Sequence, residues 1–377
     1  MSLTAEAAPA ALDACPISAD FLPANLRKHV DPTAPVPLRM MGAKSLVPLS
    51  PSDMLGALFI LTFDPDAGVR ETAAKTAAGL PERILGSALR DEGIKPPVLG
   101  FFLRIFQTQD AYAEMLILNP ATPDEAVAGV AEAASARLVE IIGQNQLRLL
   151  RHEPILRAMC LNPQASPALL DSVCDFAVRS GLVMADVPQM QAARVRLFGP
   201  EAIAAPPPGP TAEEVMREFD AASDDPTAPP LDEGKRMTLS QRVLKMSIAE
   251  KIKLATLGNK EARGMLIRDT NKLVCTAVIR SPRITDGEVL TCANNRAIND
   301  DVLRIIYGSR EFTKSYTMKV ALVKNPKVPL AVSMKFLNVL RDAEVKDLSR
   351  DKNVPSGVQM MAKKLLEKRT APKKEKE

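Results

Sequence analysis

One short corner recurs along this chain, and it constrains the fold more than any other feature. It reads Leu118-Asn119-Pro120-Ala121-Thr122-Pro123-Asp124-Glu125, then Leu161-Asn162-Pro163-Gln164-Ala165-Ser166-Pro167. Further copies are Ser281-Pro282-Arg283-Ile284-Thr285-Asp286, Asn295-Arg296-Ala297-Ile298-Asn299-Asp300, Asn325-Pro326-Lys327-Val328-Pro329 and Asn353-Val354-Pro355. Asn tolerates the left-handed conformation that closes a helix, and the Pro after it cannot continue that helix. Thr122, Ser166, Thr285 or Asn299 then offers a side-chain oxygen to cap the next helix. Pro123 or Pro167 fills its first turn, where a missing N–H costs nothing, and Asp124, Glu125, Asp286 and Asp300 face the positive end of its dipole. Each copy predicts helix, tight corner, helix.

Between corners the apolar residues keep helical spacing, as in Tyr316, Val320 and Val323 and, after the turn, Val332, Phe336, Leu337 and Leu340. Asp64-Pro65-Asp66-Ala67-Gly68-Val69-Arg70 leads into Ala73, Ala77 and Leu80, and Ser247 with Glu250 makes a capping box before Ile252, Leu254 and Leu257, ended by Gly258. Aromatic residues are only 4% of the chain, with no Trp, so Ala, Leu, Val and Met must fill the core. Short side chains suit closely stacked helices better than strands, whose propensity rests on branched and aromatic residues. Helices of about ten residues are marginal alone and must be stabilised by their neighbours. The expected fold is all-α, an α-solenoid of short stacked helices in two halves joined by a Pro-rich linker.

The corners resemble those of the leucine-rich repeat variant family, and the stretch from Asp64 to Arg70 is similar to the second-helix start of HEAT repeats. The two-part layout also resembles a bacterial group of helical-repeat proteins. The resemblance implies a curved stack whose surface engages other macromolecules. The repeat-variant prototype also carries an N-terminal cysteine cluster for an iron–sulfur centre, whereas Cys15 stands alone here, so no cluster is expected.

Five segments follow. Residues 1–49 form an extended, Pro-containing arm, residues 50–199 an acidic helical-repeat domain, and residues 200–236 a Pro/Asp-rich linker. Residues 237–369 form a basic helical-repeat domain, and residues 370–377 a disordered charged tail. The linker is set off by Pro206, Pro207, Pro208 and Pro210 and again by Asp224-Asp225-Pro226 and Pro229-Pro230. Between these clusters Thr211 can cap a short helix that carries Val215, Met216 and Phe219 on one side, a candidate docking helix.

Charge divides the chain. Residues 1–234 carry 18 basic and 30 acidic side chains, and residues 235–377 carry 31 and 15. Lys314, Lys319, Lys324, Lys327 and Lys335 bracket one helical hairpin, and Lys363, Lys364, Lys368 and Arg369 follow near the end. These nine form the candidate interaction surface. They suit a protein partner or, as the alternative, sequence-nonspecific contact with a phosphate backbone. Within the basic half, Tyr307, Phe312 and Tyr316 are the only clustered aromatics for base stacking. The acidic and basic halves can also attract one another.

Chemistry is harder to find. His29 reads as part of a solvated basic turn, and His152 closes a helix after Arg148 and Arg151. His152-Glu153-Pro154 lacks the second His of a zinc-protease helix, and neither a phosphate-binding glycine rhythm nor a nucleophile elbow occurs. Cys15, Cys160, Cys174, Cys275 and Cys292 are scattered, without a C-x-x-C pair, as suits reduced thiols. The N-terminus has no basic start or long apolar run. No catalytic, cofactor-binding or metal-binding residue is expected, no membrane span is expected, and the reading is a cytoplasmic, non-enzymatic scaffold or adaptor for a protein partner.

Overall fold

The computed structural model describes residues 15–201, 209–221 and 233–370. Expectations for the prolines at 206–208, the Asp/Pro cluster at 224–230 and the terminal tail lie outside these residues. No strand occurs among the described residues, in which α-helices recur from Val36 to Thr370. The helices are α1 (Val36–Ala43), α2 (Pro51–Leu61), α3 (Ala67–Ala78), α4 (Glu82–Ala88), α5 (Pro96–Phe106), α6 (Asp110–Leu118), α7 (Asp124–Ala131) and α8 (Ala136–Gln144). They continue as α9 (Gln146–Arg151), α10 (Glu153–Leu161), α11 (Pro167–Arg179), α12 (Pro188–Phe198), α13 (Ala212–Ala221), α14 (Glu233–Lys245), α15 (Ile248–Leu257) and α16 (Lys260–Leu266). The last are α17 (Lys272–Ile279), α18 (Asp286–Asn294), α19 (Asp300–Gly308), α20 (Tyr316–Lys324), α21 (Leu330–Leu337), α22 (Asp342–Leu348) and α23 (Ser356–Thr370). Two compact units make up the chain, residues 1–173 and 174–377. The division falls within α11, and the described part of the Pro-rich segment belongs to the second unit. Residues 36–43, expected in an extended arm, form α1, because Pro35 stands at its N-cap and Pro37 in its first turn, where proline favours a helix.

Packing partners lie close in chain order. In the first unit α2 packs on α3 and α4, α5 on α6 and α7, α6 on α8, and α7 on α10. In the second unit α15 packs on α17, α17 on α19, α18 on α20, α20 on α21, and both α21 and α22 on α23. Small residues set the spacing of these layers. A methyl at Gly100 of α5 would stand 3.3 Å from the Ala126 methyl of α7. The core is aliphatic apart from Phe59, Phe102, Phe106, Phe219 and Phe336. Ala73, Ala77, Leu80, Val323, Phe336, Leu337 and Leu340 are buried as their spacing predicts, whereas Tyr316, Val320 and Val332 are only half-buried. Met318, Ala321 and Leu322 complete the buried side of α20 instead. That helix lies between neighbours, so it buries more than one stripe.

Each corner is a turn built by its first side chain. The Asn119 Oδ1 accepts the Ala121 N–H at 3.0 Å, the Asn162 Oδ1 accepts that of Gln164 at 2.6 Å, and the Asn325 Oδ1 accepts that of Lys327 at 3.0 Å. Backbone bonds from Thr122, Ala165 and Val328 back to these Asn carbonyls close the turns. The expected left-handed Asn does not occur. Asn119, Asn162, Asn295 and Asn325 have φ between −82° and −70° and ψ between 116° and 121°. The extended backbone leaves the side chain to do the turning, as in Asx turns.

Three of these side chains do more. The Asn119 Nδ2 donates to Leu89 O at 2.9 Å and Asp91 O at 3.1 Å, at the end of α4. The Asn162 Nδ2 donates to Ala131 O at the end of α7 and Ala134 O just beyond it, and the Asn325 Nδ2 to Ala293 O and Asn295 O at the end of α18. The last carbonyls of a helix have no partner within it. Each buried Asn therefore supplies donors to the orphan carbonyls of an earlier corner while shaping its own.

Helix starts follow the capping chemistry in most places. Ser50, Asp66, Ser135, Asn259 and Asn271 each accept a first-turn N–H, and Thr285 with Glu288 completes a capping box. Ser166 and Asn299 cap as expected. Thr122 does not, since its hydroxyl donates to Leu116 O and Pro123 takes the N-cap position. Ser247 caps α15, but Glu250 turns away from a reciprocal box and accepts the Ala212 N–H of α13 at 2.7 Å.

Candidate interaction surface

The basic residues of the second unit divide by what they touch. Lys314 follows α19 in a short 3-10 turn, Lys324 ends α20, Lys335 lies on α21, and Lys363, Lys364 and Lys368 lie on α23, all exposed. Lys319 on α20 is half-buried. None of these seven makes an ion pair among the described residues. Lys327 and Arg369 are engaged. The Lys327 Nζ donates to Ile298 O at 2.7 Å and stands 3.2 Å from the Asp300 carboxylate. The Arg369 guanidinium donates to Leu340 O, Asn338 O and Asp342. Both tie neighbouring helices together at corners, so they are structural before they are available to a partner.

Tyr316 is also occupied. The Arg341 guanidinium lies 4.9 Å from its ring centre, and its hydroxyl accepts the Arg341 N–H at 3.0 Å. One face of the ring expected for base stacking is thus covered by a cation, an arrangement worth about 0.5–1 kcal/mol at an exposed site.

An apolar surface that the charge pattern concealed adjoins the free lysines. Leu330, Val339 and Met360 are 46%, 58% and 57% exposed. A methyl at Gly357 would touch the Leu330 side chain at 3.3 Å, so Leu330 of α21 leans over the first turn of α23. The signal for this lay in α23 itself, where Met360, Lys364 and Lys368 recur at every fourth position of an otherwise polar face.

The candidate docking helix is α13. Its start is a capping box, Thr211 accepting the Glu214 N–H and Glu214 accepting the Thr211 N–H. Val215 and Phe219 are fully buried where α13 packs on α14 and α15, and Met216 is half-buried beside Glu250, Lys253, Leu254 and Leu257 around a cavity of about 260 Å³. Arg242 of α14 pairs with Glu218. The apolar side of α13 is thus covered by its own unit.

A second recess, of about 520 Å³, opens in the first unit between α2, α5 and α7. Phe59 and Phe63 wall it, Gly100, Ala126 and Gly129 make its floor, and Arg104 and Glu125 are its charged groups. The small residues that form the floor carried no functional signal in sequence.

Several polar residues buried elsewhere are tied into the framework. Asp124 accepts Arg148 at 2.9 Å and Arg151 at 2.5 Å, and Arg148 also donates to Asn119 O and Thr122 O. These arginines therefore clamp the α6–α7 corner, beyond the dipole role expected of them. His29 is buried rather than solvated, with its Nδ1 3.0 Å from Leu38 O, because the following helix folds back over it. Arg39 pairs with Asp64 in the core, and Arg263 pairs with Glu288 while donating to Gly258 O.

Three of the thiols are poor nucleophiles. Burial, reinforced by Glu288, pushes the Cys292 thiol up to about 11, and burial also raises Cys275 and Cys15. No group of three or more His, Cys, Asp or Glu side chains is placed to hold a metal among the described residues, and no helix there is long and apolar enough to cross a membrane. Compared with protein families, curated proteins and solved structures, the chain matches none.

Proposed function

We propose that this protein is a non-enzymatic helical-repeat scaffold or adaptor, an α-solenoid of the leucine-rich repeat variant or HEAT-like kind, which binds a protein partner through the surface of its second unit. The observation that carries the reading is the distribution of polar groups. Buried Asp124, Arg148, Arg263, Asn119 and Asn325 are each committed to corners, while Lys335, Lys363, Lys364 and Lys368 stand exposed on the two helices that carry Leu330 and Met360. Charge and apolar area side by side, away from any enclosed polar cluster, suit association better than covalent chemistry. The recurrence of the corners and the packing of helices on near neighbours in the chain support the solenoid part of the reading.

The test is a photo-cross-linking side chain at Lys335 or Lys364 in the full chain, expressed in its own cell. Discrete adducts of defined mass that contain another protein are the expected result. Adducts with nucleic acid, or none, would remove the reading. The basic excess of residues 235–377 favours a second reading, sequence-nonspecific nucleic-acid binding. Fluorescence anisotropy of the full chain with scrambled single- and double-stranded oligonucleotides tests it. Affinity must fall steeply with salt, because counterions are released from the phosphates.

A further inference from the structure

We infer that the paired surface of α21 and α23 is a docking site for an acidic amphipathic helix of another protein; the inference rests on the protein-binding reading above and names the chemistry of the partner. The two helices lie side by side in the same direction. Leu330 meets Gly357 at their N-terminal ends, and the Arg369 guanidinium reaches Asn338 O and Leu340 O just beyond α21 at the other. Between these two fixed points run Met334 on α21 and Met361 and Leu365 on α23, all half-buried, with Met360 exposed at the edge. An apolar strip therefore follows the seam for about two turns, or roughly 11 Å. Unbranched methionines adapt to varied apolar ligands.

The lysines border this strip. Lys335 follows Met334 on α21, and on α23 the helical spacing sets Lys364 and Lys368 on the side of Met360 and Met361 with Lys363 beyond Met360, all exposed and without an ion pair among the described residues. Glu367, which has a partner within the chain, is the exposed carboxylate on α23. A helix with apolar residues at i, i+3, i+4 and i+7 lays its stripe into such a seam, and carboxylates on its flanks then meet the lysines. A bare polyanion leaves the apolar floor unmatched. A second copy of the same face brings lysines against lysines, which disfavours self-association.

The test uses the full chain and a fluorescein-labelled peptide of four turns, with Leu at i, i+3, i+4 and i+7 and Glu elsewhere, against the same composition scrambled. The patterned peptide should bind at least about tenfold more tightly than the scramble. Met360→Glu and the double change Lys363→Glu/Lys364→Glu should each weaken it by about tenfold or more, while Lys75→Glu in the first unit changes it by less than about twofold. Positions 360, 363 and 364 are exposed, and circular dichroism verifies that the variants fold. Equal affinity for the two peptides, no binding, or binding indifferent to these variants overturns the inference. So does a twenty-base-pair duplex that binds as tightly and loses affinity with the same variants. The cross-linking result separates the two levels. A protein adduct that survives Lys363→Glu/Lys364→Glu leaves the scaffold reading intact and removes only this site.

Discussion

Replacing Asn325 by Ala removes three hydrogen bonds at once, and their geometry sets the size of the effect. The side chain is 3% exposed, its Nδ2 donates to Ala293 O at 2.8 Å and Asn295 O at 3.2 Å, and its Oδ1 accepts the Lys327 N–H at 3.0 Å. At about 1 kcal/mol net for each bond, with two carbonyls left facing the cavity, the loss is about 3 kcal/mol. Asn295 is the internal control, because it starts a corner of the same kind in the same unit. It accepts the Ala297 N–H at 2.9 Å, is half-buried, and can be replaced by water. Asn295→Ala should cost about 1 kcal/mol or less.

In urea, with a slope of about 2–3 kcal/mol/M, Asn325→Ala should lower the midpoint of the second unit by about 1 M, and Asn295→Ala by about a third of that. Asn325→Asp separates the two roles. It keeps the acceptor for Lys327 but sets a carboxylate against two carbonyl oxygens, so its folded-state pKa is raised. That variant should be the least stable at neutral pH and should recover part of the loss on acidification, as protonation restores one donor. Equal midpoint shifts for Asn325→Ala and Asn295→Ala would refute the argument that bridging between corners, rather than turn formation, carries the stability.

Further outcomes follow from the same contacts. Arg148→Met takes one of two donors from Asn119 O, which keeps the Thr122 N–H, removes the side-chain donor to Thr122 O and leaves Asp124 with Arg151 alone, so it should destabilise the first unit by about 3 kcal/mol in chemical denaturation; a loss under about 1 kcal/mol would contradict the clamp. Burial opposes ionisation of Glu288, but hydrogen bonds from Arg263 and Thr285 prevail and hold its carboxyl below the ordinary value of 4.5. Its stabilisation is therefore present above that value and is lost as pH falls through the depressed one, and Glu288→Gln should flatten the decline in stability between pH 5 and about pH 3. Cys292, 8% exposed with its thiol pushed up to about 11, should resist iodoacetamide at neutral pH longer than half-buried Cys160, as followed by peptide mass spectrometry. Matching rates would mean that α18 opens readily.

The corners were legible from sequence, but their grammar was broader than an Asn before a Pro. Asp64, Asp91, Asp269 and Asp351 make the same two-residue side-chain turn, accepting the N–H of Asp66, Gly93, Asn271 and Asn353. Asn353, read as the start of a corner, is thus the third residue of one that begins at Asp351. An oxygen three bonds from Cα is what the turn uses, and Asp supplies it as well as Asn. The candidate surface was half legible. The lysines were visible as a charge pattern, whereas the engagement of Lys327 and Arg369, the cover over Tyr316 and the exposure of Leu330 and Met360 were not.

By itself the sequence determined the helical class and where most helices start and stop, because capping oxygens, prolines and first-turn carboxylates act on groups only a few residues away. Tertiary structure decided which of the similar corners bridge to earlier ones. Asn119, Asn162 and Asn325 find their carbonyls 28–32 residues back, Arg148 and Arg151 meet Asp124 across 24 and 27 residues, and Glu250 caps α13 from 38 residues away. Local pattern carries no register at such distances. Only the stacking of one helix on another brings a free donor to an orphan carbonyl, and Leu330 and Met360 stay exposed because no neighbour covers them among the described residues.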